Sequence, residues 1–208
     1  MAQIQLACTL NKPYLPVLNT QQLAYVYLEI KAAEGVVNVQ SPLNISLVLD
    51  KSGSMEGAKI KSLRQAAKNA IDLLNPDDQV SIIAFSDQVY TIAASTPAAD
   101  KEKLKRQIDR IRDGGGTAMS GGMRRGMTEL EKNLSSDRLN RMLLLTDGQT
   151  FGDEEQCVEL GAEMGVKGIV IHALGLGEDW NEDLLDQVAE ASGGGADFIE
   201  TADEINDF

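Results

Sequence analysis

The chain has 208 residues, 43% of them apolar and 25% charged, and its 19 Lys and Arg against 32 Asp and Glu give a net charge of −13. That length buries one sizeable core with an extension to spare, and the composition is that of an ordinary soluble globular protein. The acidic balance argues against nucleic acid and anionic membrane surfaces as partners, because both would repel the chain.

No stretch approaches the ~18 consecutive apolar residues of a membrane span. The amino end, Met1-Ala2-Gln3-Ile4-Gln5, has neither a basic region nor an apolar signal core, so the expected compartment is the cytoplasm. Cys8 and Cys157 stand in dissimilar contexts without metal-ligand spacing and read as two buried apolar thiols. No Lys or Arg follows Lys167, whereas eleven Asp and Glu do. One end of the molecule is therefore strongly acidic, and a solvated surface explains it more simply than a patch for a basic partner.

In chain order, residues 1–42 come first. Ile4, Leu6, Cys8 and Leu10, and again Ala24, Val26, Leu28 and Ile30, recur at every second position, the period of half-buried strands. With Val36 to Val39 they make about three strands, too few for a sandwich of their own. The expectation is a short N-terminal β extension, a partial sandwich whose apolar faces are covered by the domain that follows, by self-association with a second copy of the chain through edge pairing, or by missing downstream sequence. The chain reads as a fragment of a longer protein.

From residue 43 strands and helices alternate, the pattern of a mostly parallel sheet covered on both faces. Ile45 to Asp50 predicts the first strand. Ile60, Leu63, Ala66, Ala67, Ala70, Ile71 and Leu74 follow at helical spacing, stopped by Asn75-Pro76. Gln79 to Phe85 and Gln88 to Ala93 predict an antiparallel edge hairpin around Ser86-Asp87. Leu104, Ile108 and Ile111 mark a second helix, and Met119, Met123, Met127, Leu130 and Leu134 a third, the methionines reading as core packing. A strand from Leu139 to Thr146, a helix from Asp153 to Met164, a strand from Gly168 to Leu174, a helix from Asn181 to Ala191 and a strand from Ala196 to Glu200 complete the pattern. Asp203 to Phe208 begins a last helix. The predicted fold over residues 43–208 is a doubly wound α/β domain. Its six-stranded sheet is mostly parallel with one antiparallel edge strand and has helices on both faces.

Three motifs carry the chemistry. Asp50-Lys51-Ser52-Gly53-Ser54 follows the first predicted strand, Gly114-Gly115-Gly116-Thr117 is a glycine-rich loop, and Thr146-Asp147-Gly148 ends a later strand. Taken singly, each has a common structural use as a helix cap, a loop or a turn. Together, two carboxylates and three hydroxyls are hard oxygen donors, suited to Mg²⁺, Mn²⁺ or Ca²⁺ and poorly suited to Zn²⁺. Carboxyl ends of strands are where open α/β sheets bind ligands. The glycines let the loop adopt positive φ and approach an ion closely.

Asp-x-Ser-x-Ser, the Gly-Gly-Thr loop and Thr-Asp-Gly, in that order, resemble the metal-ion-dependent adhesion site of the von Willebrand factor A family, over roughly residues 43 to 208. The resemblance implies that Asp50, Ser52 and Ser54 hold the metal, that Thr117 joins directly or through water, and that Asp147 acts through water. Lys51 stands at a variable position, where a cation could tune the field. It further implies a non-enzymatic module in which a partner's Asp or Glu displaces water from the ion.

The competing class is a metal-dependent phosphohydrolase using Asp50. It would need a second acid near Asp50 and a lysine positioned for phosphate, yet position 52 is Ser. No phosphate-binding Gly-rich loop ending in Lys-Ser/Thr occurs. The only His, His172, falls inside a strand and reads as a packed, hydrogen-bonded core residue rather than a base.

Overall fold

The computed structural model describes residues 4–12, 14, 17, 21–32, 41–150, 152–177 and 180–199. The expected strand at Val36 to Val39, the end of the last strand at Glu200 and the closing helix from Asp203 lie outside the described residues. The chain divides into two compact units, Met1–Gln40 and Ser41–Phe208.

In the first unit, β1 (Ile4–Leu10) and β2 (Val26–Ala32) pair antiparallel. The register sets Leu6 opposite Ile30, Cys8 opposite Leu28 and Leu10 opposite Val26 on one face, with Ala7–Glu29 and Thr9–Tyr27 on the other. That separates an apolar face from a more polar one, as the alternation predicts. Cys8 is exposed, contrary to expectation. The reason is architectural: a two-stranded sheet is a single layer and has no second layer of its own to bury either face.

The second unit is a six-stranded sheet in the order β5-β4-β3-β6-β7-β8. Its strands are β3 (Leu43–Asp50), β4 (Gln79–Phe85), β5 (Val89–Pro97), β6 (Leu139–Thr146), β7 (Ile169–Leu176) and β8 (Gly195–Ile199). All neighbours are parallel except β4 and β5, whose antiparallel pairing carries register shifts around Ile82. The predicted mostly parallel sheet with one antiparallel edge is thus what the chain forms.

Alternate residues of each buried strand feed two cores. Leu47, Leu49, Ile82, Leu145 and Leu174 pack with α1 (Ala58–Leu73) and α2 (Lys101–Ile108). Val48, Ile83, Phe85, Leu144 and Ile171 pack with α3 (Met119–Glu131), α4 (Glu154–Val166) and α5 (Glu182–Ala191) on the other face. Asp100 and Asn181 start α2 and α5 by accepting from the backbone N–H of Lys103 and Leu184. Met119, Met123 and Met127 are core, as their spacing predicts.

Two helical periodicities overshoot. Ile111 is buried beyond the end of α2, and Leu134 lies past α3, partly exposed. Packing, rather than continued helix, accounts for Ile111.

Two features shape the sheet around the carboxyl ends of β3 and β6. The chain runs outward from β3 through β4 to β5 and then returns to β6 on the opposite side of β3, so the strand order reverses between β3 and β6. Helix α3 lies close against the sheet because it presents glycines. A Cβ on Gly122 would sit 2.6 Å from Phe85 Cδ1, and one on Gly126 2.6 Å from Val48 Cγ2.

Gly122→Ala gains about 1 kcal/mol of helix propensity, but its methyl overlaps the fully buried Phe85. Overpacking of that kind costs about 1–3 kcal/mol. The variant is expected to be net destabilised in a urea titration. In hydrogen exchange, amides of β1 and β2 are expected to exchange well ahead of those of Ile45 to Leu49, because the hairpin has one inter-strand ladder and exposed faces. Equal protection of the two would show that the hairpin belongs to a larger packed layer.

Candidate metal centre

Asp50 closes β3 and is fully buried. Its Oδ1 accepts from the Ser52 backbone N–H at 2.8 Å, and its Oδ2 from the Thr146 hydroxyl at 2.6 Å. Burial nevertheless dominates, pushing the carboxyl up to about 6. The hydrogen bonds from Thr146 and Ser52 oppose that rise, and the nearby Asp147 charge adds to it. A buried carboxylate in this state is an acceptor short of positive charge.

After Asp50 the chain turns through a single 3₁₀ turn, Gly53–Met55. There the Ser52 and Ser54 hydroxyl oxygens stand 3.0 Å apart. Adjacent ligands of an octahedral ion with bonds of 2.0–2.1 Å are separated by about 3 Å. The two hydroxyls therefore already have the spacing of neighbouring oxygens around Mg²⁺.

Asp147, also fully buried, follows β6. Its Oδ1 accepts from the Gln149 N–H at 3.2 Å, and its carbonyl from the Asn181 N–H at 2.9 Å. Its Oδ2 lies 2.9 Å from Lys59 Nζ. The Thr146 hydroxyl serves both motifs, donating to Asp50 while accepting from the Gly148 N–H at 2.9 Å.

Thr117 is half-buried and is placed by its loop. The Gly114 N–H donates to the Lys51 carbonyl at 2.7 Å, the Gly53 N–H to the Gly115 carbonyl at 2.9 Å, and the Ala118 N–H to the Ser86 carbonyl at 2.7 Å. Gly115 has φ 95°, which favours glycine, and a Cβ there would also crowd Ser86 and displace the Asp87 carboxylate. From the opposite side the Thr150 hydroxyl lies 3.3 Å from the Thr117 carbonyl, its single proton shared between that oxygen and the closer Asp153 Oδ1.

The expected residues thus fall into two groups. Asp50, Ser52, Ser54 and Asp147 adjoin one another directly or through Thr146, while Thr117 is brought up by backbone bonds to the Asp50 motif and by the Thr150 side chain that follows the Asp147 motif. Among the described residues no group of three or more His, Cys, Asp or Glu could hold a metal ion. Any capacity for metal here depends on hydroxyls. Lys51, expected to tune the field, points its ammonium to the Gly114 carbonyl at 3.2 Å and over the Tyr90 ring at 5.3 Å.

Sequence reasoning missed Lys59, Thr150 and Asp153. Thr146 was visible as the first letter of Thr-Asp-Gly, but its bond to Asp50 was not. His172 is half-buried rather than fully packed, and desolvation together with Arg141 holds its pKa below the ordinary value.

A sequence profile of the von Willebrand factor type A domain matches residues 44–208. The chain belongs to the von Willebrand factor type A (VWA) family. The uncharacterized protein sll0103 of Synechocystis sp. is 35% identical over 164 residues, covering 78% of this chain and 39% of that protein. Inter alpha-trypsin inhibitor, heavy chain 4, of Mus musculus is 31% identical over 180 residues, covering 79% of this chain and 19% of its own length. The chain spans less than half the length of these curated relatives.

Among solved structures, a von Willebrand factor type A protein from Catenulispora acidiphila superposes with a TM-score of 0.76 at 21% identity, over 97% of this chain and 47% of its own. Two VWA neighbours hold metal. Proximal thread matrix protein 1 from the mussel byssus has a zinc-occupied MIDAS motif (TM-score 0.62, 20% identity, 80% of this chain and 46% of its own). The TRAP protein of Plasmodium vivax is manganese-loaded (TM-score 0.69, 12% identity, 99% of this chain and 76% of its own). These likenesses establish the VWA fold. In this chain, no helix among the described residues is long and apolar enough to cross a membrane.

The raised Asp50 pKa has a definite sign in stability. Its folded value, about 6, exceeds the ordinary aspartate value of 3.8, so the folded state binds the extra proton and metal-free protein loses stability as pH rises between those values. A shift of that size corresponds to about 3 kcal/mol at neutral pH. In EDTA, Asp50→Asn is expected to gain stability relative to the parent as pH is raised from 4 to 7. Parallel stability curves for the two proteins in chemical denaturation would refute the assignment.

Proposed function

We propose that this VWA domain is a protein-interaction module. Asp50, Ser52, Ser54, Thr117 and Asp147 would hold Mg²⁺, or Mn²⁺ or Ca²⁺ in its place, and a partner would supply an Asp or Glu side chain to complete the ligand set. The domain proper is read as residues 43–208, with residues 1–42 as a β extension before it.

The observation that carries this reading is the buried Asp50. It lies beside two hydroxyls at ligand spacing and beside a second buried carboxylate, all at the strand-order reversal. A bound dication would supply Lewis acidity and a water-exchangeable position. The chain's own groups bring two negative charges, one of them already engaged by Lys59. Such a site leaves a dication under-neutralised and favours an anionic ligand. Membership of a family whose members typically act as interaction modules, and metal in two fold neighbours, support the same reading.

A phosphohydrolase using Asp50 is less well supported. Position 52, beside Asp50, is Ser rather than a second acid, and Lys59 is committed to Asp147 instead of facing an open phosphate site.

At ten times its Kd, Mg²⁺ is expected to stabilise the domain by about 1.4 kcal/mol, raising Tm by a few degrees. A flat melting profile up to tens of millimolar Mg²⁺ would end the metal reading. Partner capture from source lysate should require Mg²⁺, fail in EDTA and fail with Asp50→Ala. Thr117→Ala should weaken capture while leaving the circular dichroism spectrum unchanged, since this half-buried loop residue adds nothing to the core. Mg²⁺-dependent hydrolysis of generic phosphoesters, lost in Asp50→Asn, would instead favour the enzyme.

A further inference from the structure

Lys59 occupies the first turn of α1, where the helix dipole disfavours a cation. Its position therefore calls for a compensating contact. That contact is Asp147: the ammonium lies 2.9 Å from Oδ2 of a carboxylate with no solvent exposure, and the lysine side chain itself is only 28% exposed.

The route to Asp147 is shaped for this side chain. Gly177, just past β7 with φ 89°, lies under the lysine stem, and a Cβ there would come within 2.4 Å of Lys59 Cε and 3.2 Å of Nζ. The positive φ accounts for glycine here by itself, and the absent Cβ leaves the lysine stem room to cross the strand end. Lys51 does not duplicate it, because its ammonium is held at the Gly114 carbonyl on the other side of the Asp50 motif.

We propose that Lys59 is a built-in competitor of the metal ion. It neutralises Asp147 in the metal-free site, sets a low affinity for divalent cations, and leaves the loaded site with one positive charge more than two carboxylates can cancel. The inference rests on the metal-site reading given above and deepens it. An ammonium and a dication attracted to the same carboxylate repel each other, so loading requires the lysine to withdraw or to tolerate that repulsion. Lys59 acts through Asp147 and is a positioning residue.

The test is Mn²⁺ titration by calorimetry and by electron paramagnetic resonance on the full chain, with metal-free stability measured in parallel. Lys59→Met removes the charge. Lys59→Gln removes it while keeping an N–H donor for Asp147, which protects against loss of the fold. Both are expected to bind Mn²⁺ at least about tenfold more tightly than the parent, with Lys59→Arg staying near the parent value. Metal-free Lys59→Met should also be less stable than the parent, because it strands a buried carboxylate.

Equal, finite Kd values for the parent, Lys59→Met and Lys59→Gln would overturn this inference and leave the metal site standing. Failure of the parent and every variant to bind Mn²⁺ at tens of millimolar would overturn the metal site and this inference with it. Binding by the neutral variants alone would support Lys59 as the competitor in its strongest form.

Discussion

The hydrogen bond from the Thr146 hydroxyl to Asp50 Oδ2 joins the carboxyl ends of β3 and β6, the two strands between which the sheet order reverses. The rest of the candidate centre depends on that junction. Parallel pairing of Leu49 with Leu145 brings residues about a hundred positions apart to the same height at the sheet edge. The hydroxyl then locks the two turns together, since it also accepts from Gly148. Once the turns are fixed, the first offers Lys51 and Gly53 to the glycine loop, and the second offers Thr150 to the Thr117 carbonyl. The loop thus closes between two turns that are already set.

The charge balance follows from this arrangement. Two carboxylates are withdrawn from water, and among the described residues only one of them receives a cation. Asp147 has Lys59, while Asp50 has hydrogen bonds that only partly offset its burial. Burying a charge without a full partner is expensive, and proteins accept such a cost at sites that act. The surrounding packing tolerates it because both faces of the sheet are closed by helices, with α3 brought near by Gly122 and Gly126.

Much of this was readable in the residue pattern. The alternation of apolar runs with helical spacing gave all six sheet strands, because period-two and period-3.6 signals are local and strong. The antiparallel edge was legible from the short Ser86-Asp87 turn. Asp50, Ser52, Ser54, Thr117 and Asp147 could be picked out because their residue types have unusual joint chemistry. Lys59 could not, since nothing in a lysine on an amphipathic helix announces a carboxylate 88 positions away. Thr150 was hidden for the same reason, its role being a side-chain contact with the Thr117 carbonyl. Periodicity misled at Ile111 and Leu134, where apolar spacing continues after the helix has ended. It misled differently at Cys8, because alternation tells which face of a strand is apolar and not whether a second layer covers it.

The glycine loop is tied at Gly114 and Gly115 on one side and at Thr117 on the other, all through main-chain groups. If the site takes an ion as proposed, a loop already tied in this way would have little left to order, so little ordering entropy would be charged against binding. On the metal-site reading, the pace of loading would then rest with Lys59 and with how readily the ion sheds water. Mg²⁺, which dehydrates reluctantly, would enter more slowly than a larger ion even where it is the ion finally retained.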